Sequence, residues 1–213
     1  MPHSNNPDAP VRDAPPRHFS MLRTFRPADF ITLANGACGM AAIFLALGVT
    51  RGDGTRVLYA AAALVLLAAV CDFCDGYVAR RRGESSPFGL ELDSLGDLVS
   101  FGVAPAVITY AAGAQLLADQ VGLGFFVLCG LSRLARYNVG APGLASASGK
   151  VAYFEGLPIP TSVVTLGVAL LAARGEQGMA VVHVLGLGVH WPVLLFVLHG
   201  CLMASKTLRV PKP

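Results

Sequence analysis

Charged residues are scarce in this chain. Asp, Glu, Lys and Arg together make up 14% of its 213 residues, against about 25% in ordinary soluble domains. A soluble domain of this length needs a charged surface, so the shortage excludes a water-facing exterior of the usual kind. Combined with 54% hydrophobic residues, it also excludes an intrinsically disordered chain. Cysteine is sparse too. Cys38, Cys71, Cys74, Cys129 and Cys201 all sit within apolar stretches, which argues against a disulfide scaffold and for packing. Cys71 and Cys74 have the spacing of half a zinc site, but no second Cys or His pair stands at a matching interval. The net charge of +3 is too mild to call for nucleic acid, and no nucleic-acid partner is expected. What the chain has in excess is long apolar runs, the mark of a small polytopic membrane protein.

Six such runs stand out, at about 30–49, 57–80, 87–111, 121–138, 158–174 and 184–204; each is near the roughly 20 residues a helix needs to cross the hydrocarbon core. The expected fold is therefore all-α, a polytopic membrane helical bundle of about six transmembrane helices. Residues 1–17, with five prolines among Ser, Asn and Asp, read as a disordered cytosolic tail. In residues 18–29, Phe19, Met21, Leu22 and Phe25 alternate with His18, Arg23 and Arg26, as in a short amphipathic helix lying on the membrane surface. The membrane domain is expected to cover 18–205 and a cytosolic tail 206–213. No small-residue cleavage site follows the first apolar run, so no secretory signal is expected.

The cations set an orientation. Thirteen (Arg12, Arg17, Arg23, Arg26, Arg80, Arg81, Arg82, Arg133, Arg136, Lys150, Lys206, Arg209 and Lys212) fall on one side of the six-span arrangement. Only Arg51, Arg56 and Arg174 fall on the other. By the positive-inside rule both termini are expected in the cytoplasm, and a bacterial inner membrane is the expected location.

Spans two and three carry charges where apolar residues belong. The second ends Cys71-Asp72-Phe73-Cys74-Asp75-Gly76-Tyr77-Val78-Ala79-Arg80, and the third begins Phe88-Gly89-Leu90-Glu91-Leu92-Asp93-Ser94-Leu95-Gly96-Asp97. A charge at membrane depth costs about 2.5–3.5 kcal/mol on insertion scales and marks a functional site by default. At about 100° per residue, Asp72, Asp75, Gly76, Ala79 and Arg80 share one helical face, and Gly89, Asp93 and Asp97 share another. The short connection between the spans makes them antiparallel neighbours, so the two faces meet. Four converging carboxylates need a counter-ion. A hard divalent cation, Mg²⁺ or Mn²⁺, suits oxygen ligands and completes its shell with substrate phosphates. The glycines leave room for a phosphate-bearing ligand to approach the backbone. Structural ion pairs with Arg80–Arg82, or the cation site of a transporter, are the competing readings.

The spacing Asp72-x2-Asp75-Gly76-x2-Ala79-Arg80-x8-Gly89-x3-Asp93-x3-Asp97 resembles, at every position, the signature of the CDP-alcohol phosphotransferase family. That resemblance implies a two-metal site held by Asp72, Asp75, Asp93 and Asp97, with Asp97 also the general base. It implies contacts from Gly76, Ala79, Arg80 and Gly89 to the CDP moiety. Phe88–Pro105, Leu131-Ser-Arg-Leu-Ala-Arg-Tyr-Asn138 and Phe154-Glu-Gly-Leu-Pro-Ile-Pro160 are similar to the bacterial phosphatidylserine synthases of the integral-membrane type. Ile31-Thr-Leu-Ala-Asn-Gly36 and Leu202-Met-Ala-Ser-Lys206 also resemble that group. The implied reaction moves the phosphatidyl group of CDP-diacylglycerol to L-serine. A sister enzyme acting on glycerol 3-phosphate or inositol phosphate is the alternative within the family.

Serine brings a carboxylate, and Arg133 and Arg136, three apart on the fourth span, offer guanidinium groups suited to it. Their competing role is as positive-inside anchors among lipid headgroups. Asn138 could add an amide contact. Asn35 could cap an unsatisfied group or reach the nucleotide. Glu91, two residues from Asp93, is expected to point away from the acidic face. His183 and His190 are expected seven apart on one face of the sixth helix, as packing residues. Gly36, Gly39, Gly186 and Gly188 permit close contacts between helices, within one copy or between two in a homodimer.

Overall fold

The computed structural model describes residues 25–49, 56–82, 86–148, 153–175, 179–184, 186–205 and 209–211. The expected tail at 1–17 and most of the expected surface helix lie outside the described residues. The chain is a helical membrane bundle. Helices α1 (Pro27–Val49) and α2 (Arg56–Arg82) form an antiparallel pair, and α3 (Pro87–Asp97) runs on through a π-helical turn (Leu98–Val103) into α4 (Ala104–Ala111). Next comes α5 (Leu117–Ser148), a strand β1 (Tyr153–Glu155), a 3-10 turn (Ile159–Thr161) and α6 (Ser162–Arg174). The chain ends with β2 (Val181–Val184), β3 (Leu187–His190), α7 (Trp191–Ala204) and β4 (Arg209–Pro211), which pairs with β1. Four stretches, Pro27–Val49, Arg56–Arg81, Pro87–Ala111 and Leu117–Val139, are long and apolar enough to cross a membrane, and Ile159–Arg174 and Trp191–Ala204 are shorter apolar helices.

The helix starts are written in the sequence. Pro27 opens α1, where a missing N–H costs nothing, and Asp29 Oδ2 accepts the Arg26 backbone N–H at 2.8 Å. At α3, Ser86 is the N-cap and its hydroxyl accepts the Gly89 N–H at 2.9 Å, with Pro87 directly behind it. At α5, Asp119 Oδ2 accepts the Leu116 N–H at 2.9 Å. Each contact satisfies a donor that the first helical turn leaves without a partner.

The third apolar run is not one regular α-helix. Pro105 has no N–H to give the carbonyl of Phe101, and its ring crowds that turn. The chain widens into the π-turn just ahead of it, and this re-aims everything between Asp97 and α4. The core gathers around the turn, where Phe101, Ile108, Phe126, Phe196 and Met203 are fully buried.

Small residues let α1 press against α3. A Cβ on Gly36 would meet Gly96 Cα at 3.7 Å, and one on Gly39 would overlap the Ser100 hydroxyl and lie 2.7 Å from Ser100 Cα. The contact is sealed by Ser100 Oγ, which donates to the Asn35 carbonyl at 2.9 Å.

The sixth run departs from expectation. Val181–Val184 and Leu187–His190 pair as an antiparallel β-hairpin, and the helix begins only at Trp191. His183 and His190 therefore lie on paired strands rather than one helical face. Gly186 and Gly188 belong to the same hairpin, with Gly186 at φ +82°, a conformation that favours glycine. The cysteines do not all pack inside either: Cys129 is buried, but Cys74 and Cys201 are exposed on the outer surface.

Candidate active site

The acidic residues converge between α2 and α3, both of which pack against α1. Asp72, Asp75 and Asp93 each offer a carboxylate oxygen, and these oxygens lie within 4.8 Å of one another. Asp75 is buried, and its Oδ2 accepts the Thr32 hydroxyl at 2.7 Å from α1. Asp93 Oδ1 is buried with no hydrogen-bond partner. Three carboxylates this close repel one another, and an orphaned buried oxygen among them costs desolvation energy. A divalent cation satisfies both demands, so the donor set fits a hard ion with oxygen ligands.

Asp97 stands outside this trio. It lies one turn, about 6 Å of helix rise, further along α3, is buried, and accepts the Asn35 side-chain amide at 3.0 Å on Oδ1. It is also the last α-helical residue before the π-turn. Asn35 is fully buried, and its side-chain amide satisfies the Asp97 carboxylate. Sequence reasoning missed Thr32 and Ser100. The signal was a stripe on α1, Thr32, Asn35, Gly36 and Gly39, spaced i, i+3, i+4 and i+7, small and polar where lipid-facing positions are large and apolar.

Around the carboxylates the expected nucleotide contacts are dispersed. Arg80 is exposed and folds back over Gly76, its Nη1 3.4 Å from where a Cβ of Gly76 would sit. Ala79 is partly buried between them. Gly89 serves a contact inside the fold: a Cβ there would lie 2.9 Å from Asp29 Oδ1 and 3.1 Å from Ser86 Oγ. The absent side chain lets the start of α1 dock on the start of α3.

The two arginines part company. Arg133 is partly buried, and its Nε has no hydrogen-bond partner. Arg136 is exposed, and its Nη2 donates to the Ala204 carbonyl at the end of α7, at 3.3 Å. Three residues of helix turn the chain by about 60° net, enough for one to face the bundle and the other to reach α7. Asn138 bridges two residues of α3, accepting the Ser94 hydroxyl at 3.0 Å and donating to Glu91 Oε2 at 3.0 Å. Glu91 is exposed, pointing away from the acidic trio.

A histidine that the sequence did not single out is buried nearby. His199 on α7 is hydrogen-bonded by both ring nitrogens, to Thr161 at 3.2 Å and Thr165 at 2.8 Å. With its edge against Phe126, it ties α7 to α6 behind the site.

The family model described as CDP-alcohol phosphatidyltransferase matches residues 25–199. A CDP-diacylglycerol--serine O-phosphatidyltransferase of Saccharomyces cerevisiae is 45% identical over 208 residues, covering 92% of this chain and 74% of that protein. An archaetidylserine synthase of Methanothermobacter thermautotrophicus is 40% identical over 141 residues, 65% of this chain and 54% of that protein. A CDP-diacylglycerol--serine O-phosphatidyltransferase of Methanocaldococcus jannaschii is 37% identical over 148 residues, 70% of this chain and 62% of that protein. The chain spans less than two thirds of each archaeal relative.

Proposed function

This chain belongs to the CDP-alcohol phosphatidyltransferase family, and on that premise we propose that it transfers the phosphatidyl group of CDP-diacylglycerol to the hydroxyl of L-serine, giving phosphatidylserine and CMP. The observation that carries the reading is the convergence of Asp72, Asp75 and Asp93 at membrane depth, with Asp97 one turn away. The choice of serine rests on the names of the yeast and archaeal relatives and on the partly buried, unpartnered guanidinium nitrogen of Arg133.

Asp72, Asp75 and Asp93, with Asp97 one turn away, would hold Mg²⁺ or Mn²⁺ as a two-metal site. When bound, the ions supply Lewis-acid neutralisation of the pyrophosphate and of charge growing on the departing CMP. Arg80, beside Gly76, adds positive charge at the same phosphates. Gly76 and Ala79, without bulky side chains, leave the helix surface open to the CDP moiety. The acyl chains stay in lipid, because the acids sit on spans whose other faces meet the bilayer.

Asn35 engages Oδ1 of Asp97, which leaves Oδ2 to take the proton of the serine hydroxyl. The serine oxygen then bonds to the β-phosphorus as the bond from that phosphorus to the CMP oxygen breaks, and CMP leaves with the bonding pair. Arg133 holds the serine carboxylate. Arg136 closes the end of α7, and Asn138 braces α5 against α3, so both shape the serine side of the site from its rim. The cation asymmetry supports a position for this end of the bundle at the cytoplasmic leaflet.

The test is CMP release by purified protein in detergent given CDP-diacylglycerol and a divalent cation, with serine, glycerol 3-phosphate or inositol phosphate added singly. Release with serine alone is expected. Release only with another alcohol overturns the acceptor, and release with none, from folded protein, moves the acidic site to a transport role.

A further inference from the structure

The hairpin that replaces the first part of the sixth run lies far from the acids. Asp119, which fixes it, is fourteen residues before Arg133 on α5, about 21 Å of helix. Its four strand pairs run from Val181 opposite His190 to Val184 opposite Leu187. All of β2 is exposed, and Leu187 is 66% exposed. In water an apolar hairpin with an open edge invites aggregation.

This hairpin is nevertheless held rigidly. Asp119 is fully buried, and beyond capping α5 it accepts the His190 backbone N–H at 2.8 Å and meets His190 Nδ1 at 2.6 Å. The Trp191 N–H donates to the Ala180 carbonyl at 3.2 Å, closing the base of the hairpin. Val189 is buried against the bundle. Such anchoring fixes the apolar surface of β2 outward rather than letting it collapse.

The backbone and side chains of β2 together say what that surface meets. Among the described residues no strand pairs with the outer edge of β2, so it carries backbone groups that hydrocarbon cannot satisfy, whereas Val181, Val182 and Val184 avoid water. Only the boundary between headgroups and acyl chains meets both needs. Trp191, the single tryptophan of the chain, stands at the junction of strand and helix, and tryptophan favours that zone.

We propose that the Val181–His190 hairpin is a lipid-interface anchor, seated at the headgroup–acyl boundary of the leaflet opposite the acidic site and clamped there by Asp119 and His190. Its partner is bilayer lipid, not a second protein.

Trp191 is a native probe. The full-length protein in nanodiscs is given phosphatidylcholine brominated either near the carbonyl or near the chain end, or iodide in the aqueous phase. Trp191 emission is expected to be quenched most by bromine near the carbonyl and little by iodide. Asp119→Ala should raise iodide quenching and reduce lipid quenching. If that variant does not fold, Val182→Asp and Val184→Asp, on exposed positions of β2, should produce the same exchange. Quenching by iodide without quenching by lipid would put the hairpin in water and overturn the proposal. Quenching by neither would mean a protein surface covers it, and overturns the proposal equally.

Discussion

The side-chain amide of Asn35 donates to Asp97 Oδ1 at 3.0 Å, bridging α1 and α3 at the last residue before the π-turn. The same Asn35 accepts the Ser100 hydroxyl on its backbone carbonyl at 2.9 Å. One asparagine is thereby fixed at both ends, and it aims a carboxylate that would otherwise be free to rotate. Asn35→Leu keeps the volume and removes the donor. A hydrogen bond to a charged group is worth about 1.5–3 kcal/mol, so kcat is expected to fall by at least about tenfold. The KM for CDP-diacylglycerol should change little, and steady-state kinetics on protein that elutes as a folded species decide it. An unchanged kcat would mean that the bond only packs the helices.

Asp97→Asn should abolish turnover while leaving the protein inserted and able to bind CDP-diacylglycerol. The amide is close to isosteric but cannot take the serine proton. Parallel measurements of CMP release and nucleotide-lipid binding separate the two functions. Near-normal release would remove Asp97 from the role of base.

Arg133 and Arg136 should respond differently. Arg133→Ala is expected to raise the serine KM with a smaller effect on the KM for CDP-diacylglycerol. Arg136→Ala removes the contact to the Ala204 carbonyl, an exposed bond, so a stability loss of only about 0.5–1.5 kcal/mol is expected, with a smaller rise in the serine KM than Arg133→Ala gives. Serine titrations and thermal unfolding of both variants provide the comparison. Equal serine dependence in Arg133→Ala and the wild type would return Arg133 to an anchoring role.

Gly39→Ala should destabilise the bundle by about 1–3 kcal/mol, because overpacking a tight contact forces neighbouring backbone to move. The added methyl would overlap Ser100. The double variant Gly39→Ala, Ser100→Gly should recover part of the loss, less what the bond to Asn35 contributes. Thermal unfolding in one detergent measures all three proteins; failure of the double variant to recover would assign the strain to the Ser100 backbone, whose Cα lies 2.7 Å from the added methyl.

Removing divalent cations should stop CMP release and lower the unfolding temperature, since Asp72, Asp75 and Asp93 are then left facing one another without a counter-charge. Adding Mn²⁺ back should raise the unfolding temperature of the wild type. In the Asp72→Asn, Asp93→Asn variant that response should vanish. A metal response retained in the double variant would place the cation at another site.

The acids were legible because helical geometry is local. A spacing of three or four residues puts two side chains on one face whatever surrounds the helix, so Asp72 with Asp75, and Asp93 with Asp97, could be grouped from the sequence. What grips them was not legible, because Thr32 and Asn35 lie some forty and sixty residues from Asp75 and Asp97 and no local rule links such distances. Gly89, expected to contact the nucleotide, also gives room to Asp29. A glycine marks a close approach, but it does not name the group that approaches. The hairpin escaped for another reason. Over ten apolar residues, helix and strand look alike by periodicity alone. Val181, Val182, Val184 and Val189 with Gly186 and Gly188 were the only hints toward strand.

By itself, the sequence determined that this protein lives in a membrane, how many times its apolar runs return, and which carboxylates share a helical face. Those are consequences of composition and of fixed helical periodicity. Only the tertiary structure decided that three acids form one cluster while Asp97 belongs to Asn35, that Arg133 turns inward and Arg136 to α7, and that the sixth apolar run begins as a hairpin. Each depends on which surfaces meet across the bundle, and that is set by close packing between distant segments.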